Sequence, residues 1–356
     1  MSTNYEDDIT YFNKLVGNTP FSFFKSVNTP VIVFDYYEKY TKELLNKICI
    51  QTNQKIDCEV EYLYNSEIDA FCFSQGVVNK IVFLEGTVLS IYRFASILSC
   101  VYRTILMKEE PKYQTIHKFD IRSVKDEEKM SSLIYISDSI ETNIITDYIA
   151  MIAMKIIIAH EIGHLLSGHI EYRKRHGETA ISFAMGNTMS QINNTTLQVM
   201  EIDADEFSAC HIMSVLESEL VNDQKINKIV FDKNQIYRLV GCALQCVFYL
   251  VGIKNNYWKT EEPQNYTHPP ASTRVSLFLD VIRKQFGKER DKDWIEIVKG
   301  VIIAQKNIFA YYETDYDDAI QFVFDIMGID EYGKVLIEEW RVLKKEFASY
   351  SNLPFI

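Results

Sequence analysis

Alternating apolar and polar residues predict a small sheet in the first third of the chain. Every second residue is apolar across 55–64, which is typical of a half-buried strand. Two further apolar runs, 68–73 and 80–84, flank a Ser-Gln-Gly turn and predict an antiparallel hairpin. Shorter strands are predicted at 30–34 and 133–136.

Longer runs predict helices at 37–50, 87–107 and 148–159. The last run is almost wholly apolar, which is typical of a helix buried inside a domain. Thr146 is predicted to cap its start, and Gly168 to end it in the left-handed conformation just past the last turn.

The rest of the chain divides into a polar segment and a helical remainder. Residues 170–196 are rich in Gly, Ser, Thr and Asn and predict a flexible surface segment. One helix is predicted at about 196–220, a buried one at 239–253, and further helices from 276 onward. We predict a core helix rather than a membrane segment at 239–253, because a spanning helix needs roughly 18–20 apolar residues.

The predicted buried helix that follows Thr146 carries the pattern H-E-x-x-H at His160, Glu161 and His164. Residues four apart lie on one helical face, so two imidazoles can bind one metal ion while Glu161 reaches a water at that ion. The pattern alone also occurs by chance in helical proteins. The apolar context favours a metal, because burying these groups without a partner is costly.

A second candidate element is the carboxylate pair Glu201 and Asp205, four residues apart in the helix predicted after 196. Most such pairs form a solvated acidic face, but here the flanking residues are apolar. We predict Glu201 as the third ligand of one zinc ion per chain. Asp205 is predicted to accept the free imidazole N–H of a ligating histidine.

A third element is the segment that begins with His268, followed by two prolines, and ends with Arg274. One interpretation makes His268 a hydrogen-bond donor to the oxyanion of a tetrahedral intermediate, with Arg274 paired to a carboxylate near the site. The other is an ordinary turn before a helix. The local residues favour the two interpretations equally.

The patterns H-E-x-x-H, E-x-x-A-D and H-P-x-x-x-x-R-V, in this order, resemble the gluzincin peptidases of the CAAX prenyl protease and bacterial heat-shock membrane protease type. That family also has segments similar to 69–71 and 81–86, so the resemblance covers about 55–285. It implies a zincin-like fold. It further implies that His160, His164 and Glu201 bind zinc. Glu161 would be the catalytic base, and His268 would contact the substrate carbonyl.

The sequence departs from that family because the membrane helices usual there are missing. A branch without them is therefore expected. The phage-exclusion peptidases of the Lit type are similar around H-E-x-x-H and the trailing Gly168-His169, which implies cleavage of a host protein during phage infection. His169 itself is predicted to be structural or at the surface, since a metal ligand of the H-E-x-x-H-x-x-G-x-x-H pattern would stand where Ile170 does.

The composition of the chain indicates which kinds of partner and which cellular compartment to expect. The formal net charge of −12 disfavours nucleic acid, because the phosphate backbone is also anionic. The seven cysteines are scattered and contain no C-x-x-C, as in a reducing compartment. The stretch 1–11 lacks the basic region of a signal peptide. We predict a cytoplasmic protein with a protein or peptide substrate and no membrane partner; the oligomeric state is not determined.

These observations predict an α+β, zincin-like metalloprotease, mostly helical with a small mixed sheet. An edge strand at Ile81, Val82 and Phe83 is predicted to face the cleft, where an extended substrate can add as a further strand. The predicted division is a lead-in at 1–54, a catalytic domain at 55–285 and a helical C-terminal extension at 286–356.

The predicted activity is that of a zinc-dependent endopeptidase that hydrolyses peptide bonds through a metal-activated water. Three alternatives remain open: a phage-defence peptidase that cleaves a host protein, a catalytically silent zincin-fold interaction protein, and a membrane-associated protease.

Overall fold

A computed structural model describes residues 19–20, 30–53, 56–64, 68–75, 78–107, 140–177, 180–182, 192–220, 232–255, 262–312 and 331–351. Within these ranges the chain is mostly helical, with a five-stranded sheet. The predicted α+β class with a small mixed sheet is confirmed.

The sheet has the strand order β1-β2-β4-β3-β5. β2 runs parallel to β4, with Val60 opposite Ile81, and β3 runs antiparallel to β4 on its other side. The predicted hairpin is therefore confirmed as β3 and β4. The strands are β1 (Thr19–Pro20), β2 (Cys58–Tyr64), β3 (Ala70–Gln75), β4 (Val78–Leu84) and β5 (Ala180–Ser182).

The predicted edge strand is wrong. Ile81, Val82 and Phe83 lie in β4, which is hydrogen-bonded to a neighbour on each side, so it has no free row of backbone groups for a substrate. The two edges of the described sheet are the short strands β1 and β5. The apolar pattern could predict the strand but not the parallel return of β2 beside it.

The described helices are long, and most follow the sequence pattern. A π-helical turn at Leu216–Leu220 extends α5, and short 3₁₀ turns occur at Pro263–Asn265 and Lys288–Arg290. The helices are α1 (Pro30–Thr52), α2 (Glu85–Met107), α3 (Ile140–Leu166), α4 (His169–Arg175), α5 (Asn194–Val215), α6 (Lys233–Asn255), α7 (Ala271–Phe286), α8 (Asp291–Tyr312) and α9 (Glu331–Ala348).

The predicted strand at 30–34 is wrong, because these residues form the first turns of α1. A five-residue apolar run fits a strand and a buried helix equally well, and Pro30 suits the first position of a helix. The predicted strand at 133–136 lies outside the described residues.

The helix that carries H-E-x-x-H is longer than predicted. α3 begins at Ile140, and the Thr146 hydroxyl, instead of capping, donates to the Thr142 carbonyl at 3.0 Å and lies 2.8 Å from the Ser99 hydroxyl. Gly168 has a φ of +84°, as predicted for the left-handed residue after the helix.

The segment at 170–196 contains more structure than predicted. It begins within α4, where Ile170 and Tyr172 are buried, and β5 pairs with β3. Asn193 caps α5, its side chain accepting from the Thr196 N–H at 2.8 Å. The prediction of a flexible surface segment is therefore wrong for α4 and β5, and 183–191 lie outside the described residues.

α3 runs through the centre of the fold and packs against α2, α5 and α6. Two stretches, 144–166 and 233–252, are apolar and long enough to cross a membrane by length and composition alone. Most of each is covered by other parts of the protein, as in the core helices of a globular fold. This burial agrees with the prediction of a core helix at 239–253.

The C-terminal helices pack onto this centre. α8 lies against α6, and α9 lies against α5. Leu336 and Phe347 of α9 join a cluster with Tyr172 and Leu197. Beyond α9, the Ser351 hydroxyl donates to the Leu166 carbonyl at the end of α3, at 2.5 Å. The division into three domains stays a prediction.

Replacing Gly168 with alanine should loosen the contact between α3 and the end of α9. A Cβ there would lie 2.6 Å from the Ser351 nitrogen and 2.7 Å from the Phe347 carbonyl oxygen. The matched control is exposed Gly177, whose φ of +81° gives the same backbone cost, about 1–2 kcal/mol. In urea denaturation, we expect Gly168→Ala to lower the free energy of unfolding by about 1–3 kcal/mol more than Gly177→Ala. Equal losses would contradict the tight packing.

Candidate metal centre

α3 presents His160 and His164 on the face that meets α5. Both side chains are buried, and their Nε2 atoms lie 3.0 Å apart. The rings are almost perpendicular, at 88°, and each offers one nitrogen to the same group of possible ligand atoms. The apolar run on either side holds the helix in the core and fixes this face toward α5.

Glu201 of α5 completes the cluster. Its two carboxylate oxygens lie 3.4 Å from the Nε2 atoms of His160 and His164, one oxygen to each ring. The helices can approach closely because Gly163 faces Ala204: a Cβ on Gly163 would lie 3.0 Å from the Ala204 Cα. The small residues within the two sequence patterns thus bring their ligating residues together.

The cluster fits a metal ion. Two ligand atoms bound to zinc at about 2.0–2.1 Å in a tetrahedral arrangement are about 3.3–3.4 Å apart. The two Nε2 atoms are 3.0 Å apart, and each lies 3.4 Å from a different oxygen of Glu201. His160, His164 and Glu201 form a buried group that could hold a metal ion.

Asp205 orients His160. Its Oδ1 lies 2.9 Å from the His160 Nδ1, and since a carboxylate only accepts, the imidazole carries its proton there and turns the Nε2 lone pair into the cluster. Burial opposes a charge on this ring, but the bonds to Asp205 and Glu201 outweigh it and raise the pKa of His160 to about 9. The charged form also holds a proton on Nε2, and a metal ion at the cluster would take the place of that proton.

Arg274 of α7 is fully buried and fixes Asp205 in turn. Its Nε and Nη2 donate to the two oxygens of Asp205, both at 2.8 Å, and its Nη1 lies 3.3 Å from the Glu201 Oε2. Burial raises the pKa of Asp205, but the guanidinium charge overcomes this and lowers it. The structure thus places Arg274 between two carboxylates of the site.

Glu161 is fully buried, and neither of its carboxylate oxygens has a hydrogen-bond partner within the described residues. Burial is the main reason that its pKa is raised to about 8; His160 opposes the shift, and the carboxylate of Asp69 adds to it. A carboxylate with a pKa close to neutral is suited to take up and release a proton.

His268 reaches the same cluster from the segment before α7. The ring is buried, its Nε2 lies 3.7 Å from the Glu201 Oε1, and its Nδ1 lies 3.1 Å from the Thr267 hydroxyl. Pro269 and Pro270 follow and lead into the first turn of α7. The three predicted elements of the sequence therefore meet at Glu201.

The sequence pattern missed His169 and Asp203. His169 is fully buried rather than at the surface, with its Nδ1 2.9 Å from the His164 Nδ1 and its Nε2 3.2 Å from the Asp203 Oδ2. One signal was present: Asp203 is a third carboxylate among the five residues from Glu201 to Asp205, with apolar flanks.

Comparison with known proteins was made at three levels. The family model described as Peptidase U49, that of the Lit protease family, matches residues 122–294. No curated protein and no solved structure matches the chain. The matched range contains every residue of the cluster described above, from His160 to Arg274, and the match supports a peptidase.

Proposed function

We propose that this protein is a zinc-dependent endopeptidase in which His160, His164 and Glu201 hold the ion. The observation that carries the proposal is the convergence of three buried acceptor groups beside the unpartnered carboxylate of Glu161. Two imidazoles and one carboxylate are a typical ligand set of catalytic zinc. When bound, zinc acts as a Lewis acid that polarises a carbonyl and lowers the pKa of a water.

Glu161 is the proposed general base. As the water attacks the scissile carbonyl carbon, one carboxylate oxygen of Glu161 takes up the proton that the water releases. The same oxygen then delivers the proton to the amide nitrogen, and the carbon–nitrogen bond breaks. The lack of other hydrogen-bond partners for either oxygen and the raised pKa support this role.

His268 is the proposed donor to the oxyanion that forms on the carbonyl oxygen. Support comes from its position beside Glu201: the His268 Nε2 lies 3.7 Å from the Glu201 Oε1, compared with 3.4 Å from the Nε2 atoms of His160 and His164 to the same carboxylate. The two prolines that follow restrict the backbone and hold the ring before a substrate arrives. A donor fixed in this way strengthens its bond as the negative charge develops.

The charges of the cluster support a divalent cation. Glu201 and Asp205 together carry two negative charges, and Arg274 supplies one positive charge between them. Glu161 adds a further acidic group. The first three groups leave one negative charge, and ionised Glu161 makes it two, which a dication would neutralise; a buried charge imbalance is otherwise costly.

The proposed substrate is a protein, and the proposed role is defence against phage. The Peptidase U49 match supports a protein substrate, and the phage role follows from the resemblance of H-E-x-x-H and the trailing Gly168-His169 to the Lit type. In this role the peptidase cleaves a host protein during infection. The cytoplasmic location stays a prediction.

The metal can be tested directly on purified protein by elemental analysis and chelator competition. We expect one zinc per chain and the loss of most of it in Glu201→Ala. Asp205→Ala should weaken zinc about 10–100-fold, which is the usual cost of losing a group that orients a ligand, and less than Glu201→Ala does. Glu43→Ala, an exposed glutamate of α1, is the control. Full zinc in Glu201→Ala would remove it from the ligand set.

Glu161→Gln should retain the fold and the zinc but abolish cleavage, since an amide does not accept the proton of the water. The measurement compares new protein termini in cells that produce the wild type, Glu161→Gln or the control Glu171→Gln, an exposed glutamate of α4. The same new termini should appear with the wild type and the control only. Their appearance with Glu161→Gln would mean that another group is the base.

With a substrate identified from those termini, His268→Ala should lower kcat about 10²–10³-fold and leave KM and zinc content almost unchanged. The reason is that the proposed bond forms with the oxyanion and not with the ground-state carbonyl. The control is His176→Ala, whose ring bonds to the Tyr172 carbonyl at 2.8 Å, away from the cluster. An unchanged kcat would make His268 a turn residue, and lost zinc would make it a ligand.

A further inference from the structure

The outer nitrogen of His164 meets another imidazole. The His164 Nδ1 lies 2.9 Å from the Nδ1 of His169, and the His169 Nε2 lies 3.2 Å from the Oδ2 of Asp203. All three side chains are buried. They form a line of contacts from His164 of the cluster to Asp203.

The order of protons along this line follows from Asp203. A carboxylate accepts only, so the nitrogen of His169 that faces it carries the proton. With its single proton on the nitrogen that faces Asp203, His169 accepts at Nδ1, and the Nδ1 of His164 is the donor between them. The Nε2 of His164 is therefore left with its lone pair, directed toward His160 and Glu201. Asp203 and His169 thus favour a proton on the Nδ1 of His164. Asp205 does the same for the Nδ1 of His160.

The outer end of the line belongs to α9. The Trp340 indole N–H donates to the Asp203 Oδ1 at 2.7 Å, which leaves the other oxygen for His169. The Phe347 ring meets the His169 ring edge to face, with centroids 4.8 Å apart. Lys344 bonds to Glu206 at 2.9 Å and holds the same face of α9 on α5. α9 lies beyond residues 122–294, which the peptidase family model matches.

We propose that His169 and Asp203 are positioning residues for His164, and that α9 completes the metal centre through Trp340 and Phe347. This inference rests on the proposed metal site. If Asp203 served only to attach α9, its bond to Trp340 would be sufficient. Its second oxygen instead faces a buried histidine whose far nitrogen meets a predicted ligand.

The test measures the zinc Kd by chelator competition and the absorption spectrum of the Co²⁺-substituted protein. His169→Phe keeps an aromatic ring against Phe347 but offers no acceptor to His164. We expect zinc affinity about 10–100-fold weaker and an altered Co²⁺ spectrum. His169→Asn returns an amide oxygen close to the former Nδ1, and we expect it to recover most of the affinity and the wild-type spectrum.

The contribution of α9 is tested by a pair of tryptophan variants. Trp340→Phe loses the bond to Asp203, and Trp294→Phe loses a comparable bond, to the Leu279 carbonyl at 3.0 Å, away from the cluster. We expect about 10-fold weaker zinc in Trp340→Phe, at the low end of the usual range, and wild-type affinity in Trp294→Phe. This pair also carries the test if His169→Phe does not fold.

Several outcomes would overturn the inference. Wild-type zinc affinity and spectrum in His169→Phe and Trp340→Phe would show that neither residue positions His164. Equal losses in His169→Phe and His169→Asn would show a packing role without a hydrogen bond. In both cases the metal site of His160, His164 and Glu201 would stand. If the wild type itself bound neither ion, the proposed metal centre would be wrong, and this inference with it.

Discussion

The close contact between α3 and α5 is the constraint on which the site depends. Gly163 and Ala204 allow the two backbones to approach until Glu201 reaches both imidazoles of α3. The apolar surfaces of both helices supply the free energy for this contact, since burial of apolar area is the main favourable contribution to folding. The polar groups enter the core because they lie between apolar residues on the same helices. The packing of α3 against α5 therefore both forms the core and brings the candidate metal ligands together.

Around this contact the elements that follow in the chain neutralise and orient the buried groups. α7 brings Arg274, which binds Asp205 with two hydrogen bonds and lies beside Glu201. α9 brings Trp340, whose indole N–H donates to Asp203. Buried carboxylates need such partners, because an unpaired buried charge would cost more than the surrounding packing supplies. Although α9 comes last among the described helices in the sequence, it therefore contacts the groups that surround the histidines of α3.

The sequence predicted those parts of the site that depend on spacing within one helix. His160 and His164 share a face because they are four residues apart, and Glu201 and Asp205 do so for the same reason. Prediction from the sequence was wrong or incomplete where the position of a residue depends on a second helix or strand. The edge strand at Ile81 depends on the parallel return of β2, and the role of His169 depends on Asp203, which lies 34 residues further on in a different helix. Short apolar runs such as 30–34 carry no information on strand or helix, so the longer helix that contains them decided their structure.

Glu161 shows most clearly that this helix contact is shaped by chemistry as well as by stability. Its carboxylate is fully buried, and neither oxygen has a hydrogen-bond partner within the described residues. Such a group opposes folding, and burial is the main cause of its raised pKa. An apolar residue at this position would pack into α3 at no such cost. The nearby acidic groups Asp205 and Glu201 are paired with Arg274, whereas no described residue donates a hydrogen bond to Glu161. The raised pKa and the absence of a hydrogen-bond donor to this carboxylate within the described residues are therefore the two observations that support Glu161 as the proposed general base.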